Sequence, residues 1–278
     1  MKKGLIIAAV VLIALGILVF AGGFIASGFN FAKLDVAKYE TNTYNVDSAF
    51  NGIEVNTIDA DVTLKPSEDG QFRAVCVERN GKNFEVRVEN GALKVTEPKR
   101  DNWPMRMFNF KSQSVTLYMP QDHYEALSVK TVTGDVKLDS LGFGEAVISV
   151  TTGDVDAKNV NVEGAVSVTV TTGDIKFSGV ACKTFKTTGS TGDVELTDTV
   201  AADSFDIQRS TGDVVFRNSD AGEITVKTTT GDVSGTLRTG KIFTAKSTTG
   251  DVRIPDSASG GKCDISTKTG DINIEVRH

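Results

Sequence analysis

The sequence predicts an all-β protein whose second half is a single-stranded parallel β-helix, a solenoid of about 19–20 residues per coil. The tetrapeptide Thr-Gly-Asp-Val/Ile occurs eight times, with successive glycines 19 or 20 residues apart. A unit of this length cannot bury its own apolar face, so neighbouring repeats must stack. The repeat glycines are Gly134, Gly153, Gly173, Gly192, Gly212, Gly231, Gly250 and Gly270.

Each repeat predicts two short strands on either side of the Gly-Asp bend. Before Gly134, polar Ser128 stands between apolar Leu127 and Val129 in the sequence, and most other repeats show the same alternation. A β-branched residue follows two positions after every repeat glycine. A period of two is typical of half-buried strands. Because a coil this short leaves no room for crossover helices, equivalent strands must pair in parallel, about 4.8 Å apart.

The repeats align eight aspartates along one edge of the predicted stack: Asp135, Asp154, Asp174, Asp193, Asp213, Asp232, Asp251 and Asp271. The favoured interpretation is structural, with each carboxylate accepting hydrogen bonds from the backbone of its own turn. The alternative is a ladder of cation sites, because carboxylates one coil apart repel each other and a bound ion would relieve that repulsion. The threonines that precede the glycines are expected to bond along the stack through their hydroxyl groups.

The N-terminus predicts a membrane anchor. Residues 4–26 carry no charge and are long enough to cross a bilayer core of about 30 Å. The run is longer than the apolar core of a signal peptide, so an uncleaved anchor is favoured over a cleaved signal. Lys2 and Lys3 favour a cytoplasmic N-terminus. We therefore expect a single-pass protein of the cell membrane with its C-terminal domain outside the cytoplasm.

These patterns divide the chain into four parts. Residues 1–28 form the transmembrane anchor, and residues 29–50 a juxtamembrane linker. Residues 51–126 form atypical N-terminal β coils, and residues 127–278 the regular solenoid. Within the atypical part, residues 53–64 repeat the coil pattern with Ala60 in place of glycine, and Asn90-Gly91 predicts a hairpin turn. Solenoids need such divergent terminal units as caps.

Aromatic, apolar and basic side chains mix in one predicted loop of the cap: Trp103, Met105, Arg106, Met107 and Phe108. Such a mixture can contact a membrane surface or a partner protein. The loop can also fold over the end of the core, and this second interpretation is favoured.

Composition argues against several classes of function. The net charge of −6 does not fit nucleic-acid binding, which needs a basic face. Three widely spaced cysteines predict neither a metal site nor a disulfide framework. His123 and His278, the only histidines, lie near no nucleophile motif. The regular coil length also leaves no insertion from which a catalytic cleft could be built, so we expect no enzyme and no cofactor.

Several motifs resemble a known family. The repeated Thr-Thr-Gly-Asp-Val, the N-terminal anchor, the lead-in Lys38-Tyr39-Glu40-Thr41 and the segment Pro66-Ser67-Glu68-Asp69 are similar to the bacterial putative-adhesin family with β-strand repeats, a domain of unknown function. The resemblance covers about residues 30–278. It implies a membrane-anchored, extracytoplasmic β-helix connected with the cell envelope and its stress responses, and it implies no catalytic or ligand-binding residue.

The sequence thus predicts a non-enzymatic envelope protein that presents a rigid β-solenoid for adhesion to a polysaccharide or a protein. An envelope-stress sensor or regulatory partner of another membrane protein is the alternative, and a polysaccharide-active β-helix enzyme is third. The last strand, from Ile272 to Val276, has no following coil in the sequence. Its edge is expected to pair with a second copy or with a partner's extended segment.

Overall fold

A computed structural model describes residues 38–277, except 80, 82, 99–111, 121–122 and 258, together with positions 15, 16, 22 and 25. It confirms the all-β class and the parallel β-solenoid, which has about eight turns. The predicted anchor falls almost wholly outside the described residues. Among those residues, no helix has the length and apolar character needed to cross a membrane.

The strands fall into two groups. Those that precede the regular repeats are β1 (Tyr39–Tyr44), β2 (Gly52–Asn56), β3 (Ala60–Pro66), β4 (Arg73–Arg79), β5 (Glu85–Glu89), β6 (Ala92–Thr96) and β7 (Gln113–Met119). Those of the repeats are β8 (His123–Thr133), β9 (Val136–Asp139), β10 (Gly142–Thr152), β11 (Val155–Lys158), β12 (Asn161–Val162), β13 (Ala165–Thr172), β14 (Ile175–Ser178), β15 (Ala181–Thr191), β16 (Val194–Thr197), β17 (Val200–Thr211), β18 (Val214–Lys227), β19 (Val233–Leu237), β20 (Lys241–Thr249), β21 (Val252–Arg253), β22 (Gly261–Thr269) and β23 (Ile272–Val276).

Two sheets run along the solenoid. The long-strand sheet contains the strands before each Thr-Gly-Asp bend, and the short-strand sheet contains those after it; β18 contributes to both. Equivalent residues of successive coils pair in register, as the repeat predicts: Leu127, Ala146, Val166, Phe185, Phe205 and Ile224. Their side chains are almost completely buried. The inward positions therefore form a continuous core along the axis.

The repeat glycines are required for two reasons. Gly212, for example, has φ 141°, a conformation that residues with a side chain rarely adopt. A Cβ atom at Gly212 would also overlap the carbonyl oxygen of Gly192 in the preceding coil. The bends therefore stack backbone on backbone, which no larger residue permits.

The N-terminal end is closed by a cap. β2 and β3 stack on the first regular coil, with Ile53 opposite Leu127 and Val62 opposite Val136, so the degenerate coil is confirmed. Beyond it, β5 and β6 form the antiparallel hairpin that Asn90-Gly91 predicts. On the short-strand sheet, β4 pairs antiparallel with both β7 and β1. This change from parallel to antiparallel pairing ends the stack at β1 and β5.

The C-terminal coils do not stack in sequence order. β22 pairs with β18 on one side and β20 on the other, and β23 lies between β19 and β21. The last coil of the sequence is thus inserted beneath the coil of β20 and β21. The prediction of a free edge at Ile272–Val276 is wrong, since Ile272 and Ile274 are buried. The outermost strands are instead β20 and β21.

A buried ion pair spans the inserted coil. Lys241, in the outermost coil, places its Nζ 2.6 Å from Oδ1 of Asp220, two coils below. Thr239 donates its hydroxyl to the other carboxylate oxygen of Asp220 at 2.7 Å. Gly261 pairs with Lys241 in the intervening coil and has no side chain to obstruct the contact. The pair therefore joins the two coils that flank the insertion.

Candidate functional surfaces

The eight repeat aspartates form a hydrogen-bonded ladder. Seven of the eight accept at Oδ1 the backbone N–H of the aspartate in the next coil, and Asp251 ends the series; Asp193, for instance, accepts from Asp213 at 2.8 Å. The series begins at Asp61 of the degenerate coil and then follows the stacking order, with Asp271 before Asp251. The predicted bond within each turn is therefore replaced by a bond between coils, because these N–H groups point along the axis.

The ladder's carboxylates also line a shallow hollow of about 260 Å³ near the C-terminal end. Its wall includes Asp213, Asp232, Asp251 and Asp271, with Arg253 beside them. In the part of the chain that the structure describes, no three acidic, histidine or cysteine side chains are close enough together to hold a metal ion. The hydrogen bonds support the structural interpretation of the ladder, and the cation alternative stays a prediction.

Two substitutions at Asp193 separate these interpretations. Asp193→Ala should lower the free energy of unfolding by about 1 kcal/mol, because it removes the side-chain acceptor of the Asp213 N–H. Asp193→Asn keeps an oxygen acceptor, so its effect should stay within about 0.5 kcal/mol. Chemical denaturation measures both. An asparagine variant as unstable as the alanine variant would show that the charge itself is needed, as a bound cation requires.

The outer face of the long-strand sheet carries a stripe without acidic side chains. We call it the hydroxyl stripe and define it by the residues two and four positions before each repeat glycine: Lys130, Val132, Ser149, Thr151, Thr169, Thr171, Thr188, Ser190, Gln208, Ser210, Lys227, Thr229, Lys246, Thr248, Ser266 and Lys268. Ten of the sixteen are Ser or Thr and four are Lys. All are exposed or half-buried. The stripe therefore offers hydroxyl and ammonium groups repeated at about the 4.8 Å coil spacing.

The structure contains hollows on the stripe and away from it. On the stripe, a hollow of about 280 Å³ is lined by Thr188, Gln208 and Lys227 among others. One of about 410 Å³ lies at the capped end, lined by Asn45, Asp47, Phe50, Gln71 and Tyr124 among others. Phe50 and Tyr124 stack on each other with ring centroids 5.8 Å apart and are almost fully buried. Their ring faces therefore pack in the core, and the hollow is lined by both polar and apolar groups.

Arg209 was not identified from the sequence as a notable residue. It occupies an inward position where the other repeats have threonine, valine, serine or glycine, and it is only 4% exposed. Nη1 donates to the carbonyl oxygen of Val170 at 3.0 Å, and burial lowers the pKa of the guanidinium. The guanidinium fills the space beside Gly189, where any side chain would overlap it. A glycine followed one coil later by an arginine at the same repeat position is the signal that could have found this pair.

The three cysteines provide a test of core burial. Cys76, Cys182 and Cys263 are free and buried, and burial raises the pKa of each thiol to about 12. Since the thiolate is the reactive form, we expect native protein to resist alkylation at about pH 8. Mass spectrometry should detect three added groups only after unfolding. Rapid alkylation of the native protein would contradict the placement of these side chains.

The predicted partner-binding residues Trp103, Met105, Arg106, Met107 and Phe108 lie outside the described residues. Their loop connects β6 to β7 in the N-terminal cap.

Comparison with known proteins identifies one family. Two overlapping segments, residues 50–203 and 164–278, match the family model described as Toastrack DUF4097. No curated protein matches the sequence.

Three solved structures are among those similar to this chain. A protein described as a putative adhesin from Bacteroides fragilis is 17% identical, with 86% of this chain and 97% of that chain covered and a TM-score of 0.42. A putative lipid binding protein from Parabacteroides distasonis is 13% identical, with coverages of 87% and 97% and a TM-score of 0.40. A putative cell adhesion protein from Clostridium sporogenes is 13% identical, with coverages of 87% and 100% and a TM-score of 0.29. These similarities carry no argument about activity.

Proposed function

The chain belongs to the Toastrack DUF4097 family, and we propose that it is a non-enzymatic, membrane-anchored solenoid that binds a cell-envelope polysaccharide through the hydroxyl stripe. The observation that carries this proposal is the composition of the stripe, in which ten hydroxyl side chains and four lysines occur without one carboxylate. The chain as a whole is acidic, with a net charge of −6. Attraction for an anionic polymer is therefore concentrated on the stripe, whereas Asp206 and Asp264 lie in the row beside it.

The stripe has the chemistry and spacing that a repetitive polymer requires. A hydroxyl side chain both donates and accepts hydrogen bonds, so it can pair with sugar hydroxyl groups in either sense. Lysine ammonium groups add attraction for carboxylate or phosphate groups on the polymer. Each contact is weak on an open face, but contacts repeated along one rigid stack act together. A flat sheet supports such binding without a pocket.

Lysine substitutions test the stripe directly. We expect the triple variant Lys130→Gln, Lys227→Gln, Lys268→Gln of the full-length protein to bind an insoluble anionic envelope polysaccharide at least about tenfold more weakly. A matched control replaces Lys158, Lys176 and Lys183, which are exposed but lie off the stripe. The control should bind within about twofold of the wild type. Added salt should weaken wild-type binding, because exposed charges are screened.

Two results would count against the proposal. Equal losses in the stripe and control variants would mean that net charge alone drives binding. Unchanged binding by the stripe variant would mean that the polymer contacts another face.

The proposed location rests on the sequence of residues 4–26. If this segment anchors the chain, the full-length protein stays in the membrane fraction after a salt wash. Protease added to intact cells should then degrade the repeat region. Release into the medium of a mature protein that starts near residue 24 or 27 would instead indicate a cleaved signal peptide.

A further inference from the structure

The outermost coil of the solenoid has no neighbour on one side. In the described residues, β20 pairs only with β22, and β21 pairs only with β23. Every coil further inside has a partner on both sides in the long-strand sheet. The end formed by β20 and β21, which we call the open end, therefore presents two unpaired strand edges.

The open end exposes side chains of the core type. Val252 and Ile254 are 40% and 37% exposed, whereas their equivalents in the coil beneath, Ile272 and Ile274, are 0% and 3% exposed. The inward-facing Phe243 is likewise only half-buried. The sequence of this coil is that of an inner coil, and it lacks the polar outer face that terminal solenoid units need for solubility. A further chain segment is needed to cover it.

The backbone at this edge is free to pair. The carbonyl oxygens of Thr249 and Asp251 accept N–H groups from the coil beneath at 2.9 Å. Thr228 donates its N–H to the carbonyl oxygen of Ser266, so the residue at the repeat position of Ser266, which is Lys246 in β20, faces the inner neighbour. Because successive residues of a strand direct their N–H and C=O groups to opposite sides, those of Phe243, Ala245 and Ser247 face the free side. Proteins block such edges with charge or proline. In β20 the exposed charge is that of Lys246 alone, since Lys241 is buried in its ion pair.

The loop of residues 99–111 cannot cover this edge. The loop is joined to β6 and β7 at the capped end. Nine strand spacings separate β6 from β20, which is about 43 Å. Residues 97–112 join the two strands, and a segment of this length held at both ends reaches at most about 30 Å. The segment between β6 and β7 is therefore too short to supply the covering strand.

We propose that the open end pairs with the open end of a second copy of the chain, β20 against β20, in an antiparallel, two-fold symmetric dimer. A two-fold axis supplies each edge with a partner of equal length and buries Val252 and Ile254 of both copies. Head-to-tail growth is opposed at the capped end, where β5 presents Glu85, Arg87 and Glu89 along its edge. The assembly therefore closes at two copies. It does not depend on the proposed polysaccharide binding.

The test is the mass of the full-length protein in detergent micelles, measured by light scattering with the detergent contribution subtracted. We expect a protein mass of twice 29.6 kDa for the wild type. Ala245→Pro removes a free-edge N–H without removing a bond to β22, and Ile254→Asp places a charge on the exposed apolar surface. Each should raise the dimer dissociation constant at least about tenfold. Val132→Asp is the matched control, since Val132 is also an exposed apolar side chain but lies at the other end of the hydroxyl stripe.

The control variant should remain dimeric, and all variants should keep the circular dichroism of β structure. If Ala245→Pro fails to fold, Ile254→Asp decides alone. A monomeric wild type at the highest concentration reached would overturn the proposal. So would a dimer that survives both end variants, since the copies would then associate through another segment, such as residues 4–26.

Discussion

Replacing Phe205 by alanine should lower the free energy of unfolding by about 3–5 kcal/mol. Phe205 is 1% exposed and lies between Phe185 and Phe216, with ring centroids 5.9 and 6.1 Å away. Its backbone is paired in parallel strands on both sides, so the surrounding coils cannot collapse into the cavity. Chemical denaturation followed by circular dichroism measures the loss.

Lys227→Ala is the matched control for this prediction. Lys227 lies in the next coil of the same sheet, but its side chain is exposed on the hydroxyl stripe. Its replacement should change the free energy of unfolding by no more than about 0.5 kcal/mol. Similar losses in the two variants would mean that the inner and outer faces of the sheet are assigned wrongly.

Replacing Gly212 by alanine should cost about 3 kcal/mol or more, because it combines backbone strain with a collision. The φ of 141° disfavours any side chain, and the added Cβ would meet the carbonyl oxygen of Gly192. Both atoms belong to backbone held in the stack, so neither can move away without separating two coils.

Gly70→Ala isolates the contribution of strain. Gly70 also has a positive φ, 69°, but a Cβ atom there would meet no atom within 4 Å. We expect it to cost about 1–2 kcal/mol, the usual penalty for a left-handed residue. If Gly212→Ala costs no more than Gly70→Ala, the close approach of the bends does not stabilise the solenoid as described.

Much of the fold follows from the repeat alone. The period sets the length of the coil, and the alternation around Val129 and Val136 sets which side chains face inward. Both are properties of neighbouring residues, so the sequence displays them. Parallel pairing in register follows because each position recurs with similar size and polarity.

The order of the C-terminal coils could not be predicted in the same way. The bends at Gly231, Gly250 and Gly270 form the same hydrogen bonds with any neighbour, so coil chemistry does not distinguish sequential stacking from insertion. The distinction depends on contacts between residues far apart in sequence, above all the ion pair of Lys241 with Asp220. For the same reason, the sequence pattern predicts a free edge at Ile272–Val276, whereas the structure has it at β20.

The composition of the candidate surface could be predicted from the sequence, but the contacts that its side chains make could not. The sequence shows which positions face outward, so the hydroxyl stripe is implicit in the alternation. The direction of the aspartate hydrogen bonds could not be predicted, because a carboxylate can reach either its own turn or the next coil. The burial of Arg209 could not be predicted for a related reason. The space that its guanidinium fills exists because Gly189, in the preceding coil, has no side chain.

The most direct test of the proposed function is to label lysine amines with and without bound polysaccharide and to quantify each site by mass spectrometry. On the hydroxyl stripe, Lys130, Lys227 and Lys268 are exposed, and Lys158 and Lys183 are exposed elsewhere. Binding through the stripe predicts that the polymer protects the first three and leaves the other two as reactive as in the free protein. Equal protection of all five, or protection of Lys158 and Lys183 alone, would contradict the account.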